Sequence, residues 1–395
     1  MNNFESSLSP VLGTFSPILR ENIKEILNDV DFGLSSSNLK INSNLSKASY
    51  NNYAETYAES FIVEIPYAGK RLEWEIIFKD DDYSFAPDFD FINDLFLMDP
   101  DVNVISDHIP SLANWNIKNS KSLKNVLREL LLLYKAHQVM KLQSENRYSR
   151  LFTEYKNLID SDISENDIEI CVDSNGAVHF LIGTVVDFSC LPPYVQPART
   201  DKEDDVLNPH TDLATLKLSF LKPDYTKVQS NLCLSPRLCQ TIGNASNLRI
   251  PVYNKEITLP NYVSDITKLL KDRVQQVANH HRMKNEYITV LVTRCGSTII
   301  EYDNLLFSKA TLLFSVNNIY AIVCVVIGNK FPQEKPKVTL RSVYNLQNDK
   351  PFLQNLDNYP YNTKWKPADM IKELLNYLQE QIPKFQATAQ HHFSI

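Results

Sequence analysis

The 395-residue chain has little glycine, with 8 glycines against 20 prolines. It contains neither of the glycine motifs that cradle phosphate groups, G-x-x-x-x-G-K-[ST] and G-x-G-x-x-G. The zinc-hydrolase pattern H-E-x-x-H is also absent. The histidine pairs His280-His281 and His391-His392 are adjacent in sequence, so a regular helix would not present both members to one ion. We therefore expect no cofactor, no metal site, and paired histidines that face solvent or a partner.

The chain has neither an excess of positive charge nor a long apolar run. Its formal net charge of −7 argues against a nucleic-acid-binding surface as its main role. The N-terminus, MNNFESSLSP, lacks the basic and apolar parts of a signal peptide. No apolar run approaches the ~18 residues of a membrane-spanning helix. These features predict an intracellular protein that neither spans a membrane nor binds nucleic acid directly.

Cysteine is sparse and unevenly placed. The six cysteines form no C-x-x-C pair, and none lies before Cys171. We expect free thiols in a reducing compartment rather than disulfides or a metal site. The six are Cys171, Cys190, Cys233, Cys239, Cys295 and Cys324.

The most informative stretch runs from Ser60 to Phe91. Apolar residues alternate with polar ones on both sides of the turn PYAG, which predicts an antiparallel hairpin with one buried face. An acidic loop and Pro87 then lead to a third alternating run, Phe89-Asp90-Phe91. The sequence therefore predicts a three-stranded meander here.

A second copy of this pattern lies near the C-terminus, with Asn317-Asn318 at the turn and a proline-rich crossing at 331–336. Trp115 follows Phe78 by 37 positions, and Trp365 follows Ile327 by 38. Matched spacing of this kind indicates a duplicated structural unit.

The predicted fold class is α+β, with antiparallel meander sheets flanked by helices. Three domains are predicted: 1–145, a degenerate middle domain at 146–260, and 261–395. Apolar residues cover more than half of a helix that follows Ser120, so this helix is expected to pack on two sides. Strands are predicted near 168–172, 178–188, 213–220, 228–234 and 287–293.

A helix, a meander, a proline crossing, a tryptophan-bearing loop and C-terminal helices follow the order of a ubiquitin-conjugating domain. In such enzymes the nucleophilic cysteine lies between the proline crossing and the tryptophan loop. The first copy has no cysteine at all, and Cys324 in the third copy lies upstream of Pro332. No histidine lies close in sequence to Cys233 or Cys239. We therefore expect no catalytic residue.

The segments FIVEIPYAGKRLEWEIIF, PDFDF, SLANWN, NYPYNTKW and IPKFQATA resemble the BRE family. The resemblance runs from Leu8 to about Ala389 and weakens through 196–212. It implies tandem ubiquitin-conjugating-enzyme-variant (UEV) domains without conjugating activity. The Asn/Ser-rich segment 35–52 is longer than in vertebrate-like members, and its role stays open.

Membership of this family implies a scaffold subunit of the BRISC and Abraxas-type deubiquitinase assemblies. The implied partners are a JAMM-type zinc deubiquitinase selective for one lysine-linked chain, an Abraxas-like coiled-coil scaffold and a von Willebrand A-like adaptor, with ubiquitin a further candidate. The implied setting is the cytoplasm and nucleus, in DNA-damage signalling and repair, mitosis and cell division, cytokine signalling, apoptosis and chromatin regulation.

The resemblance implies that the C-terminal domain docks the adaptor and that the N-terminal part contacts the scaffold. The candidate adaptor-binding residues are Phe331, Pro332, Tyr359, Pro360, Tyr361 and Trp365. The candidate scaffold-contact residues are Trp115, Leu130, Leu133 and Tyr134. Trp365 has an equally simple interpretation as a core aromatic.

Two other functions remain open at this point. The chain is alternatively an active ubiquitin-conjugating enzyme that uses Cys233 or Cys239, which a reducible thioester with ubiquitin would reveal. A third hypothesis is a ubiquitin-binding adaptor that works outside any enzyme complex.

Overall fold

The computed structural model describes most of the chain, in the ranges 11–28, 32–43, 58, 60–79, 82–92, 95–98, 100–161, 163–193, 209–210, 213–222, 227–347 and 350–391. The chain divides into two compact units. The first comprises Met1–Val186 with Gln196–Leu270, and the second comprises Asp187–Val195 with Lys271–Ile395. None of the described helices is long and apolar enough to cross a lipid bilayer.

The first unit begins with a four-stranded antiparallel meander in the order β1-β2-β3-β4. Its strands are β1 (Lys40–Ser43), β2 (Ser60–Tyr67), β3 (Lys70–Ile77) and β4 (Asp88–Phe91). Its helices are α1 (Arg20–Leu27), α2 (Val102–His108), α3 (Pro110–Ala113) and α4 (Ser122–Ser144). The predicted meander is confirmed. The apolar spacing over 8–30 predicts an N-terminal helix with a break at Pro17; residues 11–12 and Arg20–Leu27 are helical with turns around Pro17 between them, and positions 8–10 and 29–30 lie outside the described residues.

The β2–β3 turn determines the register of this sheet. Tyr67 pairs with Lys70, and the two residues between them, Ala68 and Gly69, have φ of 48° and 72°. A two-residue turn with both φ values positive matches the right-handed twist of a hairpin. With this register the alternating apolar residues of β2 and β3 all lie on one face, where Trp74 is 2% exposed.

A second four-stranded antiparallel sheet, in the order β5-β6-β7-β8, completes the first unit. Its strands are β5 (Ile168–Val172), β6 (Val178–Gly183), β7 (Ala214–Phe220) and β8 (Val228–Leu234). Helices α5 (Ser149–Asp160) and α6 (Pro236–Ile242) flank these strands in sequence. Consecutive residues of β6 are buried throughout, so this strand is covered on both faces. All four predicted strands are confirmed, although β6 ends at Gly183 rather than near 188.

The second unit holds a five-stranded antiparallel sheet, in the order β13-β12-β11-β10-β9. Its strands are β9 (Ile299–Tyr302), β10 (Lys309–Val316), β11 (Ile319–Val326), β12 (Lys337–Gln347) and β13 (Lys350–Leu356). Asn317 and Asn318 form the β10–β11 turn with positive φ, as the second predicted hairpin requires. Helix α8 (Pro367–His391) packs its apolar face into the core of this unit.

The prediction of a strand near 287–293 is wrong. These residues belong to helix α7 (Leu259–Cys295), which lies in the first unit up to Leu270 and in the second from Lys271. The β-branched run ITVLVT favours a strand locally. Burial of Tyr287, Ile288, Leu291 and Cys295 at helical spacing favours the helix instead, and this packing outweighs the local preference.

The structure is of class α+β, with antiparallel sheets and flanking helices. Each of the three predicted domain ranges, 1–145, 146–260 and 261–395, contains one of the three sheets. The first two sheets lie in the same compact unit. The division into three domains stays a prediction.

Candidate functional site

The tip of the first hairpin, Tyr67 to Lys70, contacts the second sheet of the same unit. We call these four residues the hairpin tip. The Tyr67 hydroxyl donates to the Ile170 carbonyl at 3.0 Å, and the Ala68 amide donates to Glu169 Oε2 at 2.6 Å. The turn motif EIPYAGKR, within the most informative stretch of the sequence, therefore joins the two sheets of the first unit.

Glu169 is a buried carboxylate at this junction and is 4% exposed. Its second oxygen, Oε1, accepts from the Leu34 amide at 2.8 Å. A Cβ at Gly33 would lie 2.5 Å from that oxygen, so the glycine gives the carboxylate its space. Burial raises the pKa of Glu169, although the two amide hydrogen bonds and the positive charge of Lys135 act in the opposite direction.

This raised pKa predicts a pH dependence of stability. The Glu169 carboxyl binds its proton more tightly in the folded chain than in the unfolded chain, where its pKa is the ordinary 4.5. The protonated carboxyl therefore contributes its full stabilisation when the pH is below the unfolded pKa of 4.5. This stabilisation is lost as the pH rises through the higher pKa of the folded chain. We expect the free energy of unfolding of the wild type, relative to Glu169→Gln, to fall as the pH rises from about 4 to about 8.

Urea titrations of both proteins across this pH range measure the effect. Other titrating groups contribute equally to the two curves and cancel in the difference. A difference that stays constant with pH would contradict the assignment.

A polar network also contacts the hairpin tip, at Gly69 and Lys70. The Lys70 ammonium is paired with the Asp173 carboxylate, which is also 3.1 Å from His179 Nε2. Nδ1 of the same histidine is 2.8 Å from Ser219 Oγ, and Lys217 Nζ donates to the Gly69 carbonyl at 3.1 Å. Burial raises the pKa of Asp173, but the hydrogen bonds from His179 and Lys70 outweigh it and lower the pKa overall.

Ser219, His179 and Asp173 have the residue types of a hydrolase catalytic triad, but their arrangement does not suit catalysis. A nucleophilic serine must meet a substrate, whereas Ser219 and His179 are each only 7% exposed. The lysine paired with Asp173 comes from the hairpin tip itself. The network therefore holds the tip against the second sheet.

A cavity of about 320 Å³ opens beside the hairpin tip. We call it the tip cavity. It combines apolar walls with two cationic side chains and the Glu169 carboxylate. Its lining residues are Phe32, Gly33, Leu34, Tyr67, Arg128, Leu131, Leu132, Lys135, Asn166 and Glu169.

The predicted adaptor-binding residues of the second unit are partly brought together. Phe331 is fully buried and lies edge-on to Tyr287, with ring centroids 5.3 Å apart. The Tyr359 hydroxyl donates to the Pro336 carbonyl. Phe331 and Tyr359 therefore serve as core anchors in this structure.

The remaining residues of that set lie nearer the surface. The Tyr361 hydroxyl donates to the Pro332 carbonyl at 2.6 Å, and burial raises the pKa of Tyr361 to about 12. Pro360 is exposed, and Trp365 is half-buried against the core of the second unit. Adaptor binding by this set stays a prediction.

The predicted scaffold-contact residues lie in or against the core of the first unit. Leu130 and Tyr134 are 1% and 2% exposed, and the Tyr134 ring meets Tyr67 and Trp74 edge-on. Leu133 and Trp115 are partly buried, and the Trp115 indole donates to the Tyr83 carbonyl at 3.0 Å. Scaffold binding by these residues stays a prediction.

Sequence reasoning did not identify the residues that hold the hairpin tip. One signal was present: Glu169 is a single charged residue inside the apolar run IEICV. A buried charge needs hydrogen-bond partners, which predicts a specific contact at this position. Asp173, His179 and Ser219 carry no comparable signal, because their meeting depends on how strands pair.

Comparison with known proteins identifies the family. The family model described as Brain and reproductive organ-expressed protein (BRE) matches residues 13–346. The chain is 30% identical over 394 residues to "BRISC and BRCA1-A complex member 2" of Danio rerio, covering 97% of this chain and 98% of that protein. It is 28% identical over 389 residues to the protein of the same name from Branchiostoma floridae, covering 96% of this chain and 97% of that protein. The resemblance found in the sequence is confirmed, and this chain belongs to the BRE family.

Proposed function

We propose that this chain is a non-catalytic scaffold subunit of a JAMM-type, lysine-linkage-selective deubiquitinase complex of the BRISC and BRCA1-A kind. The observation that supports this most strongly is the end-to-end similarity to two proteins named as member 2 of those complexes. Similarity over 97% of the chain extends across the three sheets, so the likeness is not confined to one part of the fold.

The proposal includes a tandem UEV-like organisation. Each range, 1–145, 146–260 and 261–395, carries one antiparallel sheet with helices. The first and third sheets share a hairpin, a proline-containing crossing and a tryptophan that follows. A sheet that packs helices on one face leaves loops and edges for partner proteins.

The proposed partners follow the family. The N-terminal part contacts a JAMM-type enzyme and an Abraxas-like coiled-coil scaffold, and the C-terminal part docks a von Willebrand A-like adaptor. Ubiquitin is a further candidate partner. The proposed setting is the cytoplasm and nucleus, in DNA-damage repair, cell division and cytokine signalling.

Five of the six thiols support a subunit without a nucleophile of its own, and the sixth, Cys190, is exposed. Cys324 lies within β11, and Cys171 and Cys295 are buried. The Cys239 thiol lies 3.6 Å from the Leu234 carbonyl, and burial raises its pKa, which disfavours the reactive thiolate. Cys233 is half-buried on β8. The alternative of a ubiquitin-conjugating enzyme using Cys233 or Cys239 is therefore less well supported. The thiols do not bear on the other alternative, a free-standing ubiquitin-binding adaptor, which isolation of the complex distinguishes.

Isolation of the complex from cells tests the proposal. The full chain, carrying an affinity tag, is purified from its own cells, and the co-purifying proteins are identified by mass spectrometry. We expect a JAMM-type enzyme, a coiled-coil scaffold and a von Willebrand A-like adaptor in stable proportions. Recovery of the chain alone, or with a ubiquitin-activating enzyme, would contradict the proposal.

Trp365 provides a more local test. We expect Trp365→Ala to weaken adaptor binding, because this half-buried residue follows the exposed Pro360 by five positions in the segment NYPYNTKW. The neighbouring exposed Lys364→Ala serves as the control. Binding is measured by titration of the purified adaptor, and folding by thermal melting. Unchanged affinity with intact folding would refute the binding role, and a lowered melting temperature alone would identify Trp365 as a core anchor.

A further inference from the structure

The last two strands of the first sheet present a row of carboxylates on the side away from the core. In β3 the buried Trp74 and Ile76 face the core, so the residues that alternate with them face the opposite side. The register places Glu75 directly opposite Asp90 on this side. We call this side of the β3–β4 pair the acidic face, and its carboxylates are those of Glu73, Glu75, Asp88 and Asp90.

The acidic face costs the sheet stability, because Glu75 and Asp90 are like charges directly opposite each other on neighbouring strands. Glu75 accepts a hydrogen bond from the Ser60 hydroxyl at 2.8 Å, which leaves its negative charge in place. Arg71, on the same side of the sheet, lies 3.7 Å from Glu64 of β2. None of the ion pairs among the described residues involves a carboxylate of the acidic face. A cationic partner would therefore relieve a repulsion that the fold leaves in place.

The outer edge of β4 is open for pairing. This strand is the last in the order β1-β2-β3-β4, and β3 is its only partner among the described strands. Every second residue of an edge strand directs its N–H and C=O groups away from the sheet. Over the described ranges of the chain, no hydrogen bond reaches these outward groups of Asp88–Phe91. The edge can therefore accept a further strand.

The core-facing side of β4 offers aromatic surface to such a strand. Phe89 and Phe91 alternate with the two aspartates, and both rings are partly buried against the core of the first unit. The two rings are stacked, with their centroids 6.3 Å apart. Because β4 is the edge of the sheet, none of the described strands covers the outer sides of these rings. An added strand would therefore meet carboxylates on one side and aromatic rings on the other.

We propose that the open edge of β4 binds an extended segment of a partner protein in which basic residues alternate with apolar ones. In a β-strand, residues i and i+2 lie on the same face, about 7 Å apart. Lysine or arginine at these two positions lies beside Asp88 and Asp90. The apolar residues between them pack on Phe89 and Phe91. Main-chain hydrogen bonds to β4 supply affinity, and the alternation of side chains supplies specificity.

Fluorescence polarisation with the full chain tests this edge. The probe is a fluorescein-labelled peptide, Gly-Lys-Val-Lys-Val-Lys-Gly, at low salt. One control peptide, Gly-Lys-Lys-Val-Val-Lys-Gly, has the same composition but no two lysines at positions i and i+2. A second control replaces every lysine of the probe by glutamate. We expect saturable binding of the probe, weaker binding of the rearranged peptide and no binding of the glutamate peptide.

A matched pair of variants locates the binding. Asp90→Lys places a like charge on the edge and is expected to weaken binding of the probe by about tenfold or more. The same change places opposite charges across β3 and β4, so the melting temperature should not fall. Asp160→Lys makes the same charge change at the exposed last residue of α5, away from the first sheet in sequence, and should bind the probe as the wild type does.

Hydrogen exchange followed by mass spectrometry reports the strand pairing itself, because the probe should increase the protection of the amides of β4. Four results would overturn the proposal: equal binding of the rearranged peptide, equal weakening by both variants, binding without added protection of β4, or no binding of the probe. In the last case the aspartates serve only to deter pairing of the edge with other chains. These outcomes concern the edge alone, because complex membership is tested separately by isolation from cells.

Discussion

Replacement of Glu169 by alanine is expected to lower the free energy of unfolding of the first unit by about 2–4 kcal/mol at neutral pH. The change leaves the amides of Leu34 and Ala68 without the acceptors that they contact at 2.8 and 2.6 Å. Each buried donor without a partner costs about 1–3 kcal/mol. Relief of the buried charge offsets part of this loss, which keeps the expected value below the sum.

Tryptophan fluorescence in urea measures this loss. Two tryptophans, Trp74 and Trp115, lie in the first unit, and a Trp365→Phe background removes the signal of the second. Glu169→Gln keeps one acceptor oxygen and should lose less stability than Glu169→Ala. Glu73→Ala, at an exposed position of β3, serves as the control. An unchanged midpoint for Glu169→Ala would show that the hairpin tip is not held by this carboxylate.

Replacement of Phe331 by alanine is expected to destabilise the second unit by about 3–5 kcal/mol. The side chain is fully buried, and its ring packs edge-on against Tyr287. Removal of a buried ring loses its transfer free energy and leaves a cavity that the neighbouring side chains fill only in part. A loss of adaptor binding in this variant would then follow from unfolding and not from a lost contact.

Hydrogen exchange followed by mass spectrometry checks this prediction. Peptides from β10, β11 and β12 should lose protection in Phe331→Ala, with peptides from β2 and β3 as the internal reference. Pro360→Ala, at an exposed position of the same unit, should keep the wild-type protection. Wild-type protection in Phe331→Ala together with weaker adaptor binding would instead identify Phe331 as a contact residue.

Much of the fold was predictable because the strands carry strong local signals. The alternation in β2 and β3, and the positive-φ residues at 68–69 and 317–318, fix two hairpins without help from distant contacts. The strand prediction near 287–293 was wrong because the β-branched residues of ITVLVT favour a strand locally, whereas burial along α7 favours a helix. Strand β13 has a proline and a largely exposed pattern, which give little signal for an edge strand.

The candidate site was much less predictable. Its residues come from positions 32–34, 67–70, 128–135, 166–173, 179 and 217–219, which only the folded chain brings together. The motif EIPYAGKR lies within the stretch from Ser60 to Phe91 that is most informative in the sequence, but its role depends on the partner sheet. Its tip is bonded to Glu169, Ile170 and Asp173 about one hundred residues away. Periodicity reports which face is buried, and it does not report which strand end meets which turn.

The most direct test of the proposed function is ubiquitin-chain cleavage by the complex purified through this chain. The wild type is compared with a variant in which the four cysteines that are not buried, Cys190, Cys233, Cys239 and Cys324, are replaced by alanine. A subunit without a nucleophile predicts equal cleavage by both complexes and complete loss of cleavage when zinc is chelated. Cleavage that survives chelation but disappears in the four-cysteine variant, or a reducible thioester on Cys233 or Cys239, would contradict the account.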